Sequence, residues 1–153
     1  MIPEKVHNIL KKHELQVLEF EPGSTPTSQL AAQRLNVVVG QIAKSIVFIG
    51  KDGRKFLVVC PGDRKISSSK FKACTGTKGK LASGDETFEI TGFYPGGVCP
   101  FGLDNPEILI DEHLLIYNIF YPAAGTDSSA VPINFDKLLE VTKGRVCDLT
   151  EPK

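Results

Sequence analysis

The sequence predicts an α+β fold, a mixed β-sheet flanked by short helices, and three observations lead there. Strand-like and helix-like stretches interleave without the regular strand–helix–strand rhythm of a doubly wound protein. Two segments rich in β-branched and aromatic residues, Ala43 to Ile49 and Phe56 to Cys60, flank an Asp52-Gly53 hairpin signal. Several polar residues stand where helix N-caps are expected, Thr27, Ser83 and Asn134 among them. With 153 residues and 41% hydrophobic content the chain can bury a continuous core, so residues 1–153 are read as one domain.

In chain order, Val6, Ile9 and Leu10 fall at helical spacing behind Pro3 and predict a first amphipathic helix ending near His13. Leu15 to Phe20 reads as a strand. Glu21 to Thr27, with Pro22, Gly23 and Pro26, reads as a loop, after which Thr27 caps a helix through Leu35. The hairpin at Asp52-Gly53 follows and puts Lys44 at the start of a strand. Ser67-Ser68-Ser69 opens a short helix, and Ser83 with Glu86 has capping-box spacing for another from about Gly84 towards Thr91. Ile108 to Ile110, Leu114 to Phe120 and Ala130 to Ile133 read as strands or strand ends, and Asn134 caps a last helix through Leu139.

Charge and cysteine content exclude several function classes. Eighteen basic residues balance eighteen acidic ones, so any polyanion contact must be local. One such place exists: residues 61–80 carry Arg64, Lys65, Lys70, Lys72, Lys78 and Lys80 against Asp63 alone. That run is either a solvated surface or a phosphate-binding patch. Gly76-Thr77-Lys78-Gly79 has the form of a KH loop, but its surroundings do not resemble that module. There is no apolar run long enough to span a membrane and no apolar leader, so a cytoplasmic protein without a membrane partner is expected. Cys60, Cys74, Cys99 and Cys147 lack paired ligand spacing, which predicts reduced thiols and neither metal nor cofactor.

Gly96-Gly97-Val98-Cys99-Pro100-Phe101-Gly102 is the most informative stretch. Three glycines and a proline specify backbone shape and let another molecule approach main-chain N–H donors, although a purely structural turn uses similar residues. Lys44 is the second feature. Alternation puts it on the same face as Ile46 and Phe48, where an ammonium either snorkels to solvent or serves a site. Cys99 and His113 are a formal thiol pair, but a separation of fourteen residues demonstrates no contact.

Ala43-Lys44-Ser45, Thr91-Gly92-Phe93 leading into the glycine loop, Ile110-Asp111 and Ala124-Gly125 form an ordered set. That set resembles the YbaK / prolyl-tRNA synthetase-associated domain family over about Thr27 to Leu149. The resemblance implies a strongly curved sheet and an aminoacyl-tRNA deacylase acting in trans. Its implied substrate is tRNA(Pro) carrying Cys, Ala, Ser or Thr, with a prolyl-tRNA synthetase as a candidate partner and no DNA. The same likeness implies that Lys44 supplies a fixed charge and Gly97 a backbone donor in catalysis. Ser45, Gly96, Val98, Cys99, Pro100 and Gly102 are the implied substrate neighbours, with Gly125, Asp127 and Ser128 closing the opposite side. Phe20, Thr27 and Leu30 are carried over as the amino-acid pocket, and Arg64, Lys65, Lys70, Lys72 and Lys78 as tRNA contacts. The alternatives are a non-catalytic tRNA- or synthetase-binding module and a thiol enzyme using Cys99.

Overall fold

Alternation along Ala43–Gly50 (β2) gives the sheet its central antiparallel pair. In a computed structural model describing residues 1–153, β2 runs against Lys55–Pro61 (β3) with Lys44 opposite Cys60 and Phe48 opposite Phe56. Glu107–Asp111 (β6) lies parallel to β3, and Arg145–Cys147 (β8) lies parallel to β6. Gly79–Leu81 (β5) adds an antiparallel edge, so the order is β5-β2-β3-β6-β8 and the sheet is mixed. The α+β expectation is met.

Each face of this sheet covers its own core. Ala43, Val47, Leu57 and Val59 project into the larger cluster with Val6 and Leu10 of Glu4–Lys12 (α1), Phe93, Phe101, and Leu138 of Phe135–Thr142 (α5). Phe56, Val58 and Cys60 project into the smaller one with Leu149 and with Phe71 of Ser68–Thr75 (α3), and Ile46 and Phe48 pack against it. Period-two patterning sorts these side chains, since neighbouring residues of a strand face opposite ways.

The expected caps are in place. Thr27 Oγ1 accepts from the Leu30 N–H at the start of Ser28–Leu35 (α2), and Ser67 Oγ accepts from Lys70 N–H. Ser83 Oγ and Glu86 Oε1 form a reciprocal capping box on Gly84–Thr91 (α4), and Asn134 Oδ1 accepts from Lys137 N–H. Each cap satisfies a first-turn N–H that the helix itself cannot.

Three expectations need correction. The strand expected over Leu15 to Phe20 shrinks to Leu18–Glu19 (β1), because its partner Ser129–Ala130 (β7) offers only two residues. Leu114 to Phe120 is not a strand: Glu112–Ile116 is a 3₁₀ turn, and only Phe120 makes a bridge, to Ile133. Cys74 and Cys147 are joined in a disulfide that ties α3 to β8, so the thiols are not all free. A further two-stranded ribbon, Arg64–Ile66 (β4) with Thr150–Pro152 (β9), escaped prediction altogether. No helix is long and apolar enough to cross a membrane.

Candidate functional site

The free edge of β2 is where the site begins. The Ala43 N–H donates to Tyr121 O, and the Val47 carbonyl accepts from Ala82 N–H. In an antiparallel ladder successive residues alternate in direction, so the main-chain N–H and C=O of Ser45, between those two, point away from β3. Neither β5, which pairs only from Phe48 onward, nor the Tyr121 segment covers them. This leaves one donor and one acceptor, side by side, at an open strand edge.

A cavity of about 340 Å³ lies against that edge. Its wall includes Lys44, Ser45 and Val47 of β2, Thr25 to Ser28 and Ala31 around the start of α2, Gly84 and Thr87 of α4, Pro95, Gly96 and Val98 of the glycine loop, and Ser129. Lys44 and the glycine loop, far apart in sequence, therefore share one hollow. Twelve of its 23 lining residues are hydrophobic, which suits a small ligand with a mixed surface. Two of the lining residues, Thr25 and Ser45, carry buried hydroxyls that have no hydrogen-bond partner. Orphaned hydroxyls cost stability unless something fills their valence.

Lys44 follows Ile46 and Phe48 onto the Cys60 face, as alternation requires. Its ammonium is half-buried and donates to the Arg64 carbonyl at 2.7 Å, leaving two of its three N–H donors. Burial holds the Lys44 pKa below the ordinary lysine value; the nearby Lys153 charge acts in the same direction, and Asp63 acts against it.

The glycine loop divides into donors and packing. Gly97, expected to offer its N–H, already donates to Tyr94 O at 3.0 Å. What requires glycine at 97 is close approach, since a Cβ there would lie 2.9 Å from the Thr126 main chain. The Gly96 and Val98 amides donate to no main-chain carbonyl, and both residues line the cavity. Gly96 (φ 95°) and Gly102 (φ 72°) occupy left-handed backbone.

Cys99 is fully buried, and burial pushes its thiol up to about 12. Its Sγ donates to the Phe101 carbonyl at 3.9 Å, while His113 pairs through Nε2 with Asp148 at 2.9 Å. The thiol pair is therefore absent. Cys99→Ala should leave turnover unchanged and lower stability by roughly 1 kcal/mol, read as a denaturation midpoint beside a rate assay.

Other expected residues are placed differently. Phe20 and Leu30 lie outside the cavity wall: Phe20 is covered by the Arg34 guanidinium at 4.4 Å, and Leu30 is 43% exposed. Asp127 acts as an anchor, its Oδ1 accepting from Gly23 N–H and its carbonyl from Thr25 N–H, which fixes the 21–27 loop against the cavity. Ser128 O accepts from Phe20 N–H, and Gly125 packs against Pro3 and Phe93. Pro100 and Gly102 also stand outside the wall, whereas Thr27 is in it.

The basic run is partly neutralised by the C-terminal segment. Lys70 pairs with Asp148 at 2.9 Å, Lys65 with Glu151 at 3.8 Å, and Arg64 bonds Thr150. Lys72 and Lys78 make no ion pair, and Lys78 precedes β5, whose Leu81 lines the cavity. Asp111, His113 and Asp148 cluster within 4.8 Å, but the Asp111 carboxylate is occupied by Leu149 N–H and Thr150 Oγ1. That carboxylate latches β9 onto the end of β6.

Thr25, Ser28, Ala31 and Thr87 were not foreseen as site residues. Only Thr25, a hydroxyl held between Pro22-Gly23 and Pro26 in a loop, carried a signal in the sequence.

Residues 22–141 match the family model described as the aminoacyl-tRNA editing domain. The chain is 36% identical to the Bacillus subtilis protein YwhH, over 93% of this chain and 90% of that protein. It is 35% identical to a proline–tRNA ligase of Lactobacillus gasseri over 78% of this chain, but that match spans only 21% of the ligase. A crystal structure carrying the provisional description of a trans-editing enzyme for prolyl-tRNA synthetase superposes with a TM-score of 0.87 at 32% identity, covering 99% of both chains.

Proposed function

As a member of the aminoacyl-tRNA editing domain family this chain is an aminoacyl-tRNA deacylase, and we propose that it acts in trans on tRNA(Pro) esterified with a small non-cognate amino acid. The observation that supports this reading is the shared hollow: the open edge of β2 at Lys44-Ser45 and the Gly96–Val98 turn line one cavity. In this reading the aminoacyl group enters the cavity and the ribose stays at its mouth. The free amides of Ser45, Gly96 and Val98 hold the carbonyl oxygen as it gains negative charge, and the Lys44 ammonium adds a fixed positive field. Ser45 C=O accepts from the substrate ammonium.

Water attacks the ester carbon, the C–O bond to the ribose breaks, and the departing ribose oxygen takes a proton. Free amino acid and tRNA result. The site offers no serine–histidine–carboxylate set, and it needs none if the substrate is an activated ester whose neighbouring ribose hydroxyl assists proton transfer. The whole chain acts as one domain in the cytoplasm, and a prolyl-tRNA synthetase is the source of its substrate.

Selectivity follows from wall volume. An apolar pocket separates side chains differing by one methylene by only about 1–3 kcal/mol, so proline is rejected by size rather than by a polar contact. The test is a panel of tRNA(Pro) charged with alanine, cysteine, serine, threonine or proline. Release of one or more small residues with proline retained supports the reading; protection of every ester assigns the chain to binding alone. Charge reversal at Lys72 and Lys78, two lysines of the basic run that make no ion pair, should raise KM for tRNA and lower the slope of log KM against log salt by about 2. Reversal at Lys65, already paired with Glu151, should change that slope less.

A further inference from the structure

Outside the cavity, two aromatic rings are paired on the protein surface. Phe88, in the middle of α4, and Tyr94, just after the helix, stack with ring centroids 4.4 Å apart and planes within 23°. Both are exposed, Tyr94 at 71%. A fold buries rings of this size where it can, because each carries a large apolar area. Here the pair is held on the surface instead, one ring lying flat on the other.

Its position is informative. Thr87 precedes Phe88 and Pro95 follows Tyr94, and both Thr87 and Pro95 line the cavity. Each ring therefore belongs to a residue next in the chain to one of the cavity wall. The supports beneath it are rigid: Gly92 closes α4 in left-handed conformation, Lys5 Nζ donates to Thr91 O at 2.7 Å, and the Gly97 N–H holds Tyr94 O. Charge narrows the identity of the ligand. Asp85, Glu86 and Glu89 share the helix with Phe88, so a phosphate would be repelled there. A flat, uncharged aromatic face would not.

We propose that the Phe88–Tyr94 stack is a nucleobase platform that seats the terminal adenine of the tRNA 3′ end while its esterified ribose delivers the aminoacyl group to the cavity. This rests on the deacylase reading for the ligand's identity. Base–aromatic stacking needs only a free ring face beside the reacting ribose, and Tyr94 presents one already ordered by Phe88.

Two measurements on the full chain test it. In the first, Tyr94→Ala should raise KM for mischarged tRNA roughly five- to hundredfold with kcat little changed, and Tyr94→Phe should restore the wild-type KM. Hydrolysis of an amino-acid ester of a simple alcohol, which has no base, should not respond to Tyr94→Ala. The second uses the absence of tryptophan from this chain. Tyr94→Trp introduces the sole indole, and its fluorescence should be quenched by the trinucleotide CCA but not by the same oligonucleotide with an abasic 3′ end. An unchanged KM in Tyr94→Ala, equal losses on the base-free ester, or equal quenching by the abasic oligonucleotide would overturn the platform while leaving the deacylase reading intact. Quenching specific to the terminal base in a protein that releases no amino acid would retain the platform and remove the deacylase reading.

Discussion

Lys44→Met, which removes the ammonium while keeping the bulk of the stem, is expected to lower the rate of deacylation by about 10²–10³ with the protein still folded. The magnitude is that of deleting one preorganised group aimed at developing negative charge. Structural loss is much smaller. The Arg64 carbonyl would lose its 2.7 Å donor, a change of about 1 kcal/mol for a partly buried bond, visible as a modest fall in the denaturation midpoint. A large rate loss beside a small stability loss separates an electrostatic role from a clamp between β2 and β4.

The same lysine predicts the pH response. In the proposed mechanism its charged form acts, and burial lowers its pKa from the ordinary value of about 10.4. As pH rises, the charge is therefore lost earlier than on an exposed lysine. Enzyme-dependent deacylation, corrected for spontaneous ester hydrolysis, should fall on the alkaline side with an apparent pKa below that value. Lys44→Met should flatten this limb. An alkaline limb that persists in the variant would assign the titration to another group.

Gly97→Ala carries the second large effect. The added methyl would stand 2.9 Å from the Cα and carbonyl carbon of Thr126 and 3.0 Å from its nitrogen, main-chain atoms that cannot rotate aside. Either the 94–98 turn or the 125–129 loop must move. Overpacking of this kind costs about 1–3 kcal/mol. The functional loss should be larger, because the turn carries the Gly96 and Val98 amides and a displacement near 1 Å at a positioning group can cost about 10² in rate. The expected pattern is a fall in both the denaturation midpoint and kcat/KM. Wild-type kcat/KM in a folded Gly97→Ala protein would mean that the turn does not position substrate.

Local signals made the long elements legible in advance. Thr27, Ser83 and Asn134 each accept the N–H that their spacing predicted, since a cap is decided within four residues. The β2–β3 hairpin was equally plain, and it put Lys44 on the Ile46 and Phe48 face. Elements set by distant partners were not legible. The ribbon of β4 and β9 pairs Arg64 with Pro152, and three-residue strands are too short to show alternation. Leu114 to Phe120 misleads for a related reason: its composition suits a strand, yet no neighbouring strand is free to receive it, and Leu115 and Ile116 remain exposed.

The site divides along the same line. Lys44, Ser45 and part of the glycine turn, which the resemblance implied, line one cavity. Gly97's real constraint was hidden, because contact with Thr126 depends on how two loops meet. Asp127, implied by the resemblance to close the site, has its carboxylate and carbonyl on the backbone of Gly23 and Thr25, a contact that again depends on how two loops meet. Thr25 went unnoticed for the same reason, since that tether brings it to the cavity wall.

In the proposed mechanism the aminoacyl ester sits between the open edge of β2 and the Gly96–Val98 turn. The most direct measurement of this placement is amide chemical-shift mapping with a hydrolysis-resistant 3′-alanylamido-adenosine. The largest shifts are expected at the Ser45, Gly96 and Val98 amides, with Lys72 and His113 unmoved. Saturable shifts centred elsewhere, with those three amides undisturbed, would contradict it.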